Sequence, residues 1–383
     1  ALFLGQFGLF TVPATNPFNP FGVPVGVDYR FVELGPRSND ATTNFARFLL
    51  GAEGTLAERF DWQAYVLADR DSSAIFNRNT INAFLHSTVQ QFLDSTDPNV
   101  ALNVFSTTGN NNPDTLAAIL ASGQTTDETA TRAYMAEFVV RGPILDLPAG
   151  PLNAVAGLNY RREKVDFQAT GLLDLIDDRD VQAAFAEMSV PLVSSAQQVP
   201  GIYSLELSAA LRHDRYQDDQ APQLKSSTNP QFGLTWRPVP DLLVRGTYGK
   251  AFKEPTAFDL LLPRLSFVGF ALDPARNNAV SAFDETFGGN PGLSPERGQS
   301  ITAGLVWTPS SLQGFSTTVN FFRVRQEDFI TTLDVDTMLA NEALFPGRVV
   351  RGPPLPGDPP GTPGPIISVD TSNINFGRLT VKG

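Results

Sequence analysis

The sequence predicts an all-β chain: an antiparallel, up-and-down β-barrel of the membrane-spanning kind with long extracellular loops. Three observations predict it. Apolar and polar residues alternate with period two over segments of about ten residues, the signature of strands with unlike faces. Very short and very long links largely alternate between those segments, as they do when turns gather on one rim and loops on the other. Gly (31) and Pro (30) are frequent and suit many turns.

The bulk numbers narrow the function classes. At 383 residues the chain is long for one soluble core, but large barrels reach this size as single units. Charged residues make up only 18%, below the share of about 25% usual in soluble domains. Without Cys, disulfides and thiolate metal sites are excluded. His86 and His213 are the only histidines, which disfavours His-based zinc sites and triads. A net charge of −12 argues against nucleic acid as a partner. No run of about 18 apolar residues offers a transmembrane helix. The opening ALFLGQFGLF lacks a basic n-region and does not read as a signal peptide.

The strands follow in order. FDWQAYVLADR sets Phe60, Trp62, Ala64, Val66 and Ala68 opposite Asp61, Gln63, Tyr65, Leu67 and Asp69. LNAVAGLNYR puts Leu152, Ala154, Ala156, Leu158 and Tyr160 on one face. YSLELSAALR does so with Tyr203, Leu205, Leu207, Ala209 and Leu211, against Ser204, Glu206, Ser208, Ala210 and Arg212. QFGLTWR and ITAGLVW continue with Phe232, Leu234, Trp236 and with Ile301, Ala303, Leu305, Trp307. Strands are expected near 150–166, 201–214, 229–237, 241–251, 299–307 and 315–326, as neighbours in chain order. Alternation alone leaves two homes for the apolar face: a second sheet in a soluble sandwich, or lipid around a wet lumen.

The links are informative. DLPAGPL (146–152), RPVPDL (237–242) and TPSSLQG (308–314) are short. The stretches 74–128, 253–296 and 329–372 are long, with 169–179 a shorter member of the same side; loops of such length are usually functional or disordered. Trp236 and Trp307 by short turns, Phe60 and Trp62 by another, and Tyr160 and Tyr248 toward the far rim suit interfacial girdles. Short helices are expected within 77–95 and over 112–123, the second capped by Asn112 or Asp114. RGPPLPGDPPGTPGP (351–365) reads as an extended loop crest.

VRGTYGKAFKEPTAFDLL (244–261) resembles a recurrent segment of TonB-dependent outer-membrane receptors, in which a strand rises to an Ala-Phe-basic-x-Pro motif and opens into an extracellular loop. Phe252, Lys253 and Pro255 match it. NPGLSPERGQSITAGLVWTP (290–309) is similar to the family's Asn-Pro-x-Leu-x-Pro-Glu motif, matched by Asn290, Pro291, Leu293, Pro295 and Glu296. GFSTTVNFFRVRQEDFI (314–330), PATNPFNPFG (13–22), VELGPR (32–37) and 147–167 resemble receptor segments more loosely. Physics agrees, because Pro cannot donate to a ladder and Pro255 and Pro295 therefore bracket a loop. No plug domain is recognised. A family barrel has roughly 22 strands, against roughly 12 to 14 expected here, so the resemblance implies that residues 1–383 are a partial, incompletely closed β-barrel portion truncated at both ends. The expected sheet edges lie near Val25–Leu34 and Phe376–Lys382.

The resemblance implies a receptor for TonB-energised uptake of a scarce ligand: an iron chelate such as a siderophore, cobalamin or a carbohydrate. It implies no enzyme activity and no cofactor. Its partners would be outer-membrane lipid, an unidentified small-molecule or chelate ligand and, through the plug, the inner-membrane TonB complex; its place would be the outer membrane of a Gram-negative bacterium. The alternatives are a soluble secreted β-rich enzyme or adhesin, and a passive porin. Arg161, Arg212 and Arg245 fall on polar faces and are the candidate lumenal contacts for an anionic ligand, against simple pairing with Glu163 and Glu206. The acidic clusters DLIDDRD (174–180) and DRYQDD (214–219) fit solvated loop charge better than calcium sites, and no catalytic or metal residue is assigned. Leu205, Leu207, Ala209, Leu234, Leu305 and Val319 are expected to face outward, with Glu206, Arg212 and Arg245 inward.

Overall fold

The computed structural model describes residues 10–27, 29–79, 86–106, 110–169, 173–218 and 226–383. β1 (Phe10–Val12) pairs antiparallel with β2 (Val25–Val27). Between them two Asn-Pro-Phe steps turn the chain: Asn16 Oδ1 accepts from the Phe18 N–H and Asn19 Oδ1 from the Phe21 N–H, each at 2.9 Å. β3 (Ser38–Leu56) and β4 (Phe60–Arg78) make a long hairpin, reversing at Ala57 and Glu58 with φ of 51° and 54°. α1 (His86–Leu93) and α2 (Pro113–Gly123) follow; Asn112 caps α2 by accepting from the Asp114 N–H at 2.8 Å. Val12, Val89, Leu93, Leu102 and Ile119 form a small core that ties both helices to the β1–β2 segment.

Next come β5 (Thr125–Leu147), β6 (Gly150–Ala169), β7 (Leu173–Val193), β8 (Ser204–Asp218), β9 (Ser226–Val239) and β10 (Leu242–Lys253). After β10 the chain forms α3 (Ala257–Leu261), β11 (Leu265–Asp273) and β12 (Ala279–Phe287) before the long strands resume with β13 (Glu296–Trp307) and β14 (Thr317–Glu327). β15 (Ile330–Thr331), α4 (Val335–Ala340), β16 (Val349–Arg351), β17 (Ile366–Asp370), β18 (Ile374–Asn375) and β19 (Arg378–Lys382) complete the chain.

The main sheet has eleven strands in the order β3-β4-β5-β6-β7-β8-β9-β10-β13-β14-β19, every pair antiparallel. The all-β expectation is met, and among the described residues the sheet is not closed: β3 and β19 each pair on one side only. Four details differ from the sequence reading. β7 stands between the strands expected to be neighbours at 150–166 and 201–214. Residues 173–179 belong to β7 rather than to a loop, because Leu175, Asp177 and Arg179 prolong the period-two pattern. The edge is β3; Val25–Val27 pairs with β1 away from the main sheet. Among the described residues the main sheet has eleven strands against the 12 to 14 expected, and 253–296 and 329–372, expected as loops, build structure of their own.

Those two stretches fold together. β11-β12-β17-β16 is a separate sheet whose β12–β17 pairing, between the two stretches, is parallel. Phe283, Met338, Leu339, Phe345, Ile366 and Val369 form its core. Arg351, with its side chain 11% exposed, forks to Asp273 at 2.7 and 3.0 Å and to Glu342 at 2.9 Å. Arg276 holds Asp358 at 2.8 and 2.9 Å and the Pro363 carbonyl at 2.6 Å, fixing the Pro/Gly-rich crest. Planar guanidinium forks of this kind fix orientation as well as distance.

Register settles the faces. One row runs Leu205–Trp236–Val244–Leu305–Val319 across five strands, and the adjoining row runs Glu206–Thr235–Arg245–Gly304–Asn320. The first row and its companions, Leu207 paired with Leu234 among them, make an apolar outer face; Glu206, Arg212 and Arg245 lie on the inner one. Leu158 and Val319 are each 62% exposed, so among the described residues no second sheet covers the outer face as a sandwich requires. Trp62, Trp236 and Trp307 sit near its short-turn end. An Arg on the lipid face of a barrel near the midplane costs about 2–4 kcal/mol. Leu207→Arg should therefore weaken folding into bilayers by about that amount, and Ser208→Arg by far less; a bilayer-folding titration giving equal losses would overturn the face assignment.

Candidate functional site

The candidate site is the inner face of the sheet at its long-loop rim, where the chain after β10 folds back over the strands. Leu260 from α3 and Leu293 are buried against Val181 of β7 and Tyr216 of β8. Phe252 lies edge-on to Tyr216, ring centroids 5.8 Å apart. These contacts seat the loop on the wall.

The residues of the two sequence motifs meet here. Lys253 and Glu296 are direct cross-strand partners, with Nζ to Oε1 at 3.4 Å. Glu296 is 2% exposed and also accepts from the Gln326 side chain and, at 3.1 Å, from the Ile330 N–H. It thereby ties β10, β13, β14 and β15 at one point. Asn290 accepts from the Gly292 N–H at 2.9 Å and donates to the Asn373 carbonyl at 2.9 Å, which reaches the second long loop. Asn375 completes that clasp, donating to the Ser294 carbonyl at 2.8 Å and accepting from the Ser294 N–H. Pro255 offers its carbonyl to Arg179 at 3.3 Å. Pro291 and Pro295 flank the buried Leu293.

The three candidate arginines do not form one cluster. Arg161 is paired with Glu163 at 2.6 Å. Arg212 is paired with Asp214 at 2.8 Å and lies over the Phe185 ring at 5.8 Å. Arg245 lies nearer the short-turn rim, in the Glu206 row, and donates to Asn320 Oδ1 at 3.0 Å. Gly304 makes that reach possible, since a Cβ there would stand 2.7 Å from Asn320 Oδ1 and 3.0 Å from Arg245 Nε. Glu206 is held by the Ser189 hydroxyl at 2.8 Å rather than by an arginine.

Sequence reasoning missed the charged centre under the loop. Arg179, 9% exposed, bonds Asp218 at 3.0 Å and lies 3.9 Å from Asp177. Their signal was the period-two spacing of Asp177, Arg179 and Val181, masked by the Asp residues between them. The outward members of the same acidic cluster are also engaged: Asp178 by Arg162 and Lys164, and Asp180 by the Tyr160 hydroxyl. Glu254, directly after β10, is pushed up to about 7 by burial and by Asp214, against the opposing pull of Arg179. Its folded-state value lies above the ordinary 4.5, so the folded loop holds a proton that the undocked loop releases. Loop docking should be strongest below pH about 4.5 and weaken as pH rises to about 7. Limited proteolysis within 254–295 should speed up across that window, and Glu254→Gln should flatten the response; an unchanged profile in the variant would remove Glu254 as the cause.

Residues 3–383 match the family described as TonB dependent receptor-like, β-barrel. No curated protein sequence matches the chain. Among solved structures, the siderophore receptor PirA from Acinetobacter baumannii is similar, with TM-score 0.53 and 13% identity over 90% of this chain and 41% of PirA. The hemophore receptor HasR of Serratia marcescens, solved with its hemophore HasA and heme, gives 0.44 and 14% over 91% of this chain and 50% of HasR. The ferric enterobactin receptor PfeA of Pseudomonas aeruginosa gives 0.38 and 12% over 91% and 59%. The chain thus spans 41% to 59% of the length of these receptors, and at such identities the PirA likeness shows the fold alone. Members of the family are outer-membrane transporters and not enzymes. With the antiparallel sheet, the loops on one rim and a match across 3–383, the chain belongs to the TonB-dependent receptor-like β-barrel family.

Proposed function

We propose that the whole protein is an outer-membrane receptor that takes up a scarce small ligand with energy delivered from the inner-membrane TonB complex, and that this chain is part of its barrel wall and loop face. The observation that carries the proposal is the family match together with two long loops that fold as one unit and seat over the inner face. A ligand arriving from outside meets that unit first. The loops come with a packed core and guanidinium forks, so they present a shaped surface with little ordering cost. Iron chelates are the ligand class to test first, in keeping with the siderophore receptor PirA; cobalamin and carbohydrates follow.

On the wall, Arg245 is the strongest contact among the three arginines for an anionic ligand or plug surface. It is exposed on the inner face and bonded to a neutral amide, whereas Arg161 and Arg212 already hold carboxylates. Cells carrying the full-length protein should accumulate a radiolabelled ferric chelate from the test panel saturably, and collapse of the proton-motive force should stop accumulation without abolishing surface binding. Arg245→Ala should lower uptake several-fold with surface expression unchanged, as expected on losing a charge-assisted contact. Linear, uncoupler-insensitive permeation would instead assign a passive porin, and a chain that stayed monomeric without detergent would end the membrane assignment.

A further inference from the structure

The outer face carries a second charged feature above its apolar band. Arg70 of β4 and Arg132 of β5 are direct cross-strand partners, and Arg132 is in turn opposite Lys164 of β6. Like charges placed opposite each other destabilise a sheet. Lys164 and its neighbour Arg162 share Asp178 as ion-pair partner, at 2.5 and 2.7 Å. Arg70 and Arg132 are both exposed, and neither forms an ion pair among the described residues. Two arginines held side by side with no carboxylate between them call for an anion from outside the chain.

The same strands say which anion. Two rows lower on the outer face, Val66 and Ala136 stand in register, and below them Ala64 and Phe138. Small side chains in these rows open an apolar groove of about 720 Å³, lined by Leu50, Ala64, Val66, Ala136, Phe138 and Leu158 among others. Gly51, Tyr65, Glu137, Asn159 and Ala183 of the intervening row also line it. Arg132 is four positions along β5 from Ala136, a separation of about 13 Å along the strand. With barrel strands tilted by about 35–45°, the arginines stand about 10 Å higher than the groove. Tyr134, opposite Ala68, lies between the two levels, and Tyr160, opposite Ala136, borders the groove itself.

We infer that Arg70 and Arg132, with the groove beneath them, form a binding site for a lipid of the outer leaflet whose headgroup bears a phosphate monoester. The phosphate bridges the two guanidiniums and removes their repulsion, and an acyl chain of the same molecule fills the groove. Charge complementarity selects the phosphate, and the alignment of cations above an apolar groove on the lipid-facing surface selects a lipid over a soluble phosphate. The inference rests on the outer face lying in a membrane.

Native mass spectrometry of the full-length protein in an uncharged detergent tests it, with phosphatidic acid as the probe and phosphatidylethanolamine and inorganic phosphate as comparisons. Phosphatidic acid should bind more tightly than phosphatidylethanolamine, and the double variant Arg70→Gln/Arg132→Gln should lose about 30-fold in affinity for it, about fivefold per surface arginine. Arg70→Lys/Arg132→Lys should keep most of that binding, while Ala136→Phe should weaken it by filling the groove. Thermal stability adds a sign: Arg132→Gln should melt higher than the parent without anionic lipid, where only repulsion is lost, and lower with saturating phosphatidic acid. Equal binding of both lipids, or an unchanged double variant, would overturn the site. Inorganic phosphate matching phosphatidic acid at equal concentration would overturn the lipid as its occupant. If the membrane assignment itself were at fault, Leu207→Arg and Ser208→Arg would fold into bilayers alike; with that difference intact, a failure here belongs to the lipid site alone.

Discussion

The structure depends on cross-strand backbone pairing whose register holds along the long strands and shifts only near short turns, at Pro143/Leu145, Pro191/Val193 and Leu242/Val244. Strands such as β3 and β4 pair without a bulge from Ser38–Arg78 down to Leu56–Phe60, so every side chain's face is set by its position in the ladder. A slip of one residue would carry Leu205 and its row to the inner face and Glu206 to the outer one. In a hydrocarbon setting no water can satisfy a freed amide, and the ladder must supply the partners itself. Tight reversals help hold the register, as at Ala57 and Glu58, where two consecutive residues take the left-handed conformation favoured in short hairpin turns.

The ladder also explains why the charged centre can exist. Arg179 and Asp218 are direct partners across β7 and β8, and the loop that follows β10 then buries them. Removing water from a lone guanidinium would be costly, but here the carboxylate at 3.0 Å and the Pro255 carbonyl replace it. Glu296 uses the same logic in reverse, as a buried acceptor with donors arriving from three other strands. Loop and wall therefore depend on one another: the loop dries the charges, and the charges fix where the loop sits.

The two faces serve different surroundings with the same geometry. Inside, alternate positions carry Arg–Glu and Arg–Asp pairs, amides and hydroxyls. Outside, the band from Trp62 to Ala68 on β4 is apolar and gives way at Arg70 to cations. The family's place in the outer membrane accounts for both the band and its upper edge. It does not require an unneutralised arginine pair, and that pair marks the part of the surface where this chain carries chemistry of its own.

Period-two alternation, Pro255 and Pro295 at the loop ends, and the spacing of the motif residues determined the sheet, its faces and the limits of the first long loop. These are local signals, because side-chain direction in a strand follows from position alone. Even there, β7 was partly hidden, as charged residues on both faces at 177–180 blurred the contrast that alternation needs. The joint fold of 254–295 and 328–377 was decided only in three dimensions. Its contacts, Arg351 with Asp273, Asn290 with Asn373 and β12 beside β17, link residues 78 or more positions apart. The arginine row was likewise invisible in sequence: Arg70, Arg132 and Lys164 are far apart along the chain, and only the register of three strands sets them side by side.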